Sequence, residues 1–166
     1  MKQVYIIRHA KSSWGDFSIP DFDRPLNDRG KTDAPAMAKR LLAKKVKIDA
    51  FVSSPAKRAK KTCKLFCKVY DANEEKIIFV EKLYEAPTEA FFEVLDQLDD
   101  KYKHVAIFAH NPGVTDFANS LCKDARIDEM PTCSIFAVEA DTKKWKDLRA
   151  AEIKFLFFDY PKQVNE

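Results

Sequence analysis

No apolar run in this chain approaches the length of a membrane span. The first, Val4-Tyr5-Ile6-Ile7, is shorter than the core of a secretion signal, about 7 to 15 residues. A cytoplasmic protein without membrane contact is expected. Cysteine is sparse, and Cys63, Cys67, Cys122 and Cys133 contain no C-x-x-C pair, which argues against zinc and thioredoxin-like sites. Excess charge of one sign is small: 29 basic against 26 acidic residues leave a net +3, too balanced to predict nucleic-acid binding. Internal repeats, low-complexity tracts and linkers are missing too, so one domain over residues 1–166 is expected. A chain of this length buries roughly two-thirds of its unfolded surface without disulfide or metal staples.

What is present is a rhythm of short β-rich runs and amphipathic helical stretches, the pattern of stacked βα units. Strands are predicted over residues 3–8, 49–53, 77–81, 105–109, 134–139 and 152–158. A first helix over 28–44 would bury Ala34, Met37, Ala38, Leu41 and Leu42. A second starts where Ser54 can cap and Pro55 can take the first helical position. Its stripe Ala59, Cys63, Phe66, Cys67 and Tyr70 makes the two cysteines small, reduced core residues. Two further helices are predicted over 88–98 and 114–122, a loop over 14–27, and a frayed tail over 161–166. The fold class is therefore α/β: a three-layer sandwich whose mainly parallel central sheet of about six strands is flanked by helices.

Three of these strands run into polar, chemistry-bearing residues: Ile6-Ile7 into Arg8-His9, Phe51-Val52 into Ser53-Ser54, and Phe108-Ala109 into His110-Asn111. Carboxyl ends of parallel strands open into the ligand crevice, so the three segments converge on one rim. Of the three histidines only His104 precedes its strand, and it is expected on the surface. The second helix carries Lys57, Arg58, Lys60 and Lys61 in its first two turns, where cations are disfavoured by roughly 0.3 to 1 kcal/mol each. A bound phosphate would compensate, with Arg58 the better candidate to reach it, while Lys60 and Lys61 project into water.

The segments Arg8-His9-Ala10-Lys11-Ser12, Asp21-Phe22-Asp23-Arg24-Pro25-Leu26-Asn27-Asp28-Arg29-Gly30, Ser53-Ser54-Pro55-Ala56-Lys57-Arg58-Ala59, Leu83-Tyr84-Glu85-Ala86 and His110-Asn111-Pro112-Gly113 together resemble the histidine phosphatase superfamily. The nearest branch is that of the small, SixA-type phosphohistidine phosphatases, with a phosphoglycerate mutase-like fold. The resemblance implies a two-step phosphoryl transfer. His9 attacks phosphorus, a phosphohistidine intermediate forms, and water releases it, while Arg8, Arg58 and His110 hold the phosphoryl oxygens. Guanidinium charge opposes imidazole protonation and keeps such a nucleophile neutral. No cofactor or metal is implied, and two arginines would repel a cation. Glu85 stands where relatives carry a proton donor, against the alternative of an ordinary loop carboxylate. Asp16, Asp21 and Asp23 are further candidates for that role. Ser12 and Asn111 are placed among the phosphate contacts, with a turn or cap role open for Ser12. The usual Arg-His-Gly-Glu opening is Arg8-His9-Ala10-Lys11 here, and Gly15 replaces a phosphate-touching Asn, which counts against a sugar-phosphate mutase.

Short spacings from Arg58 to Glu85 to His110 leave no room for insertions that roof a small-molecule site. A monomeric enzyme acting on a phosphorylated protein, most naturally on phosphohistidine, is expected, with Lys57, Lys60 and Lys61 free to meet an acidic partner. The rival readings are a small-metabolite phosphomonoesterase with the same nucleophile and a non-catalytic phosphate-binding module.

Overall fold

Strand β1 (Lys2–Arg8) shows how the layers form. Successive strand side chains point to opposite faces, so Val4 and Ile6 enter one core while Tyr5 and Ile7 enter the other. Strand β4 (His104–Ala109) divides in the same way: Val105, Ile107 and Ala109 on one face, Ala106 and Phe108 on the other. Strands covered on both faces read as continuous apolar runs, which is why these two were legible.

The structure, a computed structural model, describes residues 1–162. Its sheet has the order β3-β2-β4-β1-β5-β6, completed by β2 (Ala50–Ser53), β3 (Ile78–Phe79), β5 (Ile135–Ala140) and β6 (Ile153–Asp159). The pairs β3-β2, β2-β4 and β4-β1 are parallel, whereas β1-β5 and β5-β6 are antiparallel. Strand β3 is shorter than expected because Glu81 already belongs to a 3-10 turn, Glu81–Leu83.

Helices α1 (Asp28–Ala43) and α2 (Lys57–Val69) cover one face, α3 (Thr88–Asp96) and α4 (Gly113–Leu121) the other. The first core holds Met37, Leu41, Phe66 and both Cys63 and Cys67. The second is centred on Phe91 stacked on Phe117, ring centroids 4.8 Å apart, with Trp145 fully buried beside them. Leu42 departs from expectation: it is exposed, because the buried stripe of α1 runs through Ala34, Met37, Ala38 and Leu41 and leaves Leu42 beyond its edge.

Two other expectations are corrected. His104 is the first residue of β4, half-buried, with Nδ1 2.9 Å from Gln3 Oε1, rather than a free surface group. The tail is held at least as far as Pro161, since Arg40 donates to the carbonyls of Tyr160 and Pro161 at 3.0 Å each. Residues 163–166 lie outside the described residues.

Candidate active site

Strands β1, β2 and β4 run parallel, so Arg8, Ser53 and Ala109 end on one edge and hand the chain to His9, Ser54 and His110. The rings of His9 and His110 lie 5.1 Å apart, both buried, and Arg58 in the first turn of α2 reaches over to His9 with its Nε 3.4 Å from Nε2. Thr62, one turn further on, ties these parts together. Its hydroxyl accepts from the Ala10 amide at 2.9 Å and donates to the Arg58 carbonyl at 2.7 Å. A mid-helix Thr carries no sequence signal for this, and its role was missed.

His9 is fixed in one tautomer. Nδ1 lies 2.7 Å from the Ala10 carbonyl oxygen, which can only accept, so Nδ1 bears the proton and Nε2 presents its lone pair. Burial pushes the His9 pKa well below its usual value; the hydrogen bond to that carbonyl opposes the shift, and the nearby guanidinium charges of Arg58 and Arg8 add to it. His110 is lowered to about 3, first by burial and then by Arg58. Both imidazoles are therefore neutral at pH 7. His110 Nε2 lies 2.8 Å from Ser54 Oγ. This contact corrects the expected helix start: Ser54 faces His110 and accepts from the Ala56 amide at 3.2 Å, and α2 begins only at Lys57, with no side chain capping it.

Arg8 donates through Nη1 to the Met130 carbonyl at 2.9 Å. Arg8 Nε, Arg24 Nε and His110 Nδ1 are buried without a hydrogen-bond partner among the described residues. Unsatisfied buried donors such as the two arginine Nε groups cost about 1–3 kcal/mol each, and an anion with several lone pairs is the ligand that would satisfy them. The remaining predicted contacts are engaged elsewhere. Ser12 accepts from Arg24, and Asn111 donates to the Met130 carbonyl at 3.0 Å while accepting from Thr115 at 2.7 Å. Asn111 thus supports the segment that holds Arg8, and its amide is not free to meet a phosphoryl group.

Among the acid candidates, Asp16 accepts from Ser18 in an exposed turn, and Asp23 is exposed. Glu85 is exposed at the rim, with φ 57°, and makes no hydrogen bond or ion pair among the described residues. Asp21 accepts from Tyr84 at 2.6 Å, from Arg58 Nη2 at 3.0 Å and from Arg24 at 3.3 Å. The Tyr84 hydroxyl first, then Arg58, hold its carboxyl down at about 2. So arranged it is held as an anion. The parts played by Arg24 and Tyr84 were missed, since a 14–27 loop without periodicity gives no hint of where Arg24 points, and Tyr84 joins the site through a contact with Asp21, 63 residues away. Arg24 also lies over the Trp14 ring at 3.7 Å.

A profile of the histidine phosphatase superfamily (branch 1) matches residues 4–103. The chain belongs to the histidine phosphatase superfamily. An uncharacterized chloroplastic protein of Arabidopsis thaliana is 29% identical to this histidine phosphatase over 154 residues, 88% of this chain and 70% of the relative. The protein histidine phosphatase SixA complexed with tungstate has a similar structure, with a TM-score of 0.81 at 22% identity over 96% of this chain and 97% of that one. A mycobacterial glucosyl-3-phosphoglycerate phosphatase complexed with VO3 gives 0.73 at 14% identity, covering 93% and 97%. These likenesses establish the phosphoglycerate mutase-like fold. In this histidine phosphatase, an unprotonated imidazole nitrogen stands beside two guanidinium groups and a second neutral imidazole. That set can attack phosphorus and stabilise charge on its oxygens. Superfamily membership with this set intact makes the chain a phosphatase.

Proposed function

We propose that this protein is a metal-independent phosphatase that removes phosphate from phosphohistidine on a protein. The observation that carries the reading is the His9 tautomer: a lone pair on Nε2, held by the Ala10 carbonyl, in an imidazole kept neutral by burial. Recognition alone does not need it, which sets the non-catalytic binding module aside. In the first step Nε2 forms a bond to phosphorus as the P–N bond to the substrate imidazole breaks, and the departing nitrogen takes a proton. In the second, a water oxygen attacks as its proton passes to the Glu85 carboxylate left by the first step, the P–Nε2 bond breaks, and inorganic phosphate leaves. Arg8, Arg58 and His110 meet the equatorial oxygens, where preorganised donors do most of the work. Glu85 is the proton donor in this reading, reaching the leaving group from the exposed rim.

Support for a protein substrate comes from the rim loop: Trp14, Phe17, Asp21 and Phe22 are exposed, and Asp21 of the same loop engages Arg58. The test is hydrolysis by purified protein of a phosphohistidine-bearing protein beside a panel of small phosphomonoesters. Release of phosphate from the phosphoprotein is expected. Efficient ester hydrolysis with the phosphoprotein left intact would overturn the substrate and favour the metabolite phosphomonoesterase.

A further inference from the structure

Helix α2 is two-faced. Its inner side carries Ala59, Cys63, Phe66 and Cys67, and its outer side carries Lys57, Lys60, Lys61, Lys64 and Lys68, spaced i, i+3, i+4, i+7 and i+11. Like charges at i, i+4 destabilise a helix, and its first turn holds no acidic residue to offset them. None of the five lysines forms an ion pair among the described residues. Four of them, Lys57, Lys60, Lys61 and Lys64, line a groove of about 600 Å³ together with Lys31 of α1, and among the described residues lining it the one carboxylate is Asp23. The groove reaches the 3-10 turn Asp21–Asp23, whose first residue grips Arg58, so it is continuous with the active-site rim.

We propose that this groove docks an acidic stretch of the protein substrate, alongside the residue that enters the pocket. The proposal rests on the protein-substrate reading above. Charge complementarity selects the occupant: five cations against one carboxylate among the described residues that line the groove. Single-stranded nucleic acid is the weaker fit because it needs free aromatic faces for its bases. Here Lys60 Nζ lies 5.4 Å over the Phe79 ring, and Phe22 stands edge-on to Tyr84 at 5.2 Å.

The test uses a histidine peptide with a flank of glutamates, its twin with glutamines in their place, and the phosphohistidine form of each. The comparison variant combines Lys57→Gln, Lys60→Gln, Lys61→Gln and Lys64→Gln. By fluorescence anisotropy at low salt the wild type should bind the glutamate peptide on the order of tenfold more tightly than the twin, with the difference fading as salt rises. The variant should lose the preference while hydrolysing phosphoramidate, a probe too small to reach the groove, at an unchanged rate. Equal binding of both peptides by the wild type, or a preference surviving in the variant, would overturn the proposal. Oligo-uridine competing as strongly as the glutamate peptide would overturn it in favour of nucleic acid. Preferential binding without hydrolysis of either phosphopeptide would keep the acidic docking and overturn the phosphohistidine activity.

Discussion

Asp21 and Arg58 are joined at two points: Arg58 Nη1 donates to the Asp21 carbonyl at 2.6 Å and Nη2 to its carboxylate at 3.0 Å. Both terminal nitrogens of the guanidinium are thereby committed to one residue of the rim loop. For Arg58 to clamp a phosphoryl group, the Asp21 carboxylate must yield its place to the phosphoryl oxygens. Asp21→Asn is therefore expected to bind inorganic phosphate and vanadate more tightly, by about two- to fivefold, since a half-exposed ion pair is weak. Inhibition constants measured on both proteins check this, and equal or weaker inhibition of the variant would contradict it.

His110 sets a pH dependence of stability. The folded chain keeps it neutral down to about pH 3, whereas the unfolded chain takes up its proton near 6.5. Between those values the unfolded state binds more protons, so stability falls as pH drops from 6.5, by at most about 1.4 kcal/mol per unit. Urea unfolding from pH 7 to 5 should show a shallower dependence in His110→Asn than in the wild type. Parallel curves would contradict the buried neutral imidazole.

Gly113 opens α4 beside His110, and a Cβ built on it would lie 2.3 Å from the Ala86 carbonyl oxygen. That neighbour is backbone and cannot turn aside. Gly113→Ala is expected to cost roughly 2–3 kcal/mol and lower Tm by about 5–10 °C, read by thermal unfolding. Activity should fall with it, because the displaced segment carries His110.

Glu85→Gln separates substrates by leaving group. An alkoxide needs a proton as it departs, so hydrolysis of a phosphomonoester should slow by about 10²–10³-fold. An imidazole nitrogen is protonated readily near neutral pH, so phosphohistidine hydrolysis should slow less than tenfold. Steady-state kinetics on both substrates check the contrast, and equal losses would remove Glu85 as the donor.

The strands that end in Arg8, Ser53 and Ala109 were legible because they are short apolar runs buried on two faces, and their order along the chain already placed His9 and His110 on one edge. The apolar stripe of α2 was readable for the same reason, a periodicity that burial enforces. What stayed hidden depends on partners distant in sequence. Ser54 followed by Pro55 is a sound local capping signal, yet its hydroxyl faces His110, 56 residues away. Arg24, Tyr84 and Thr62 belong to the site through single side-chain contacts that leave no repeating pattern, and the carbonyl that holds Arg8 comes from Met130, 122 residues on. Asp21 was visible as a carboxylate near the rim. Its sign of use was not, since only the arrival of Tyr84 and Arg58 makes it a held anion.

The most direct test of the account is chemical trapping of the phosphorylated enzyme. Protein quenched in base shortly after mixing with a phosphohistidine donor should carry acid-labile, base-stable phosphate on the peptide containing His9, and His9→Ala should carry none. Turnover with no such label, or label that persists in His9→Ala, would contradict the assignment of His9 as the nucleophile.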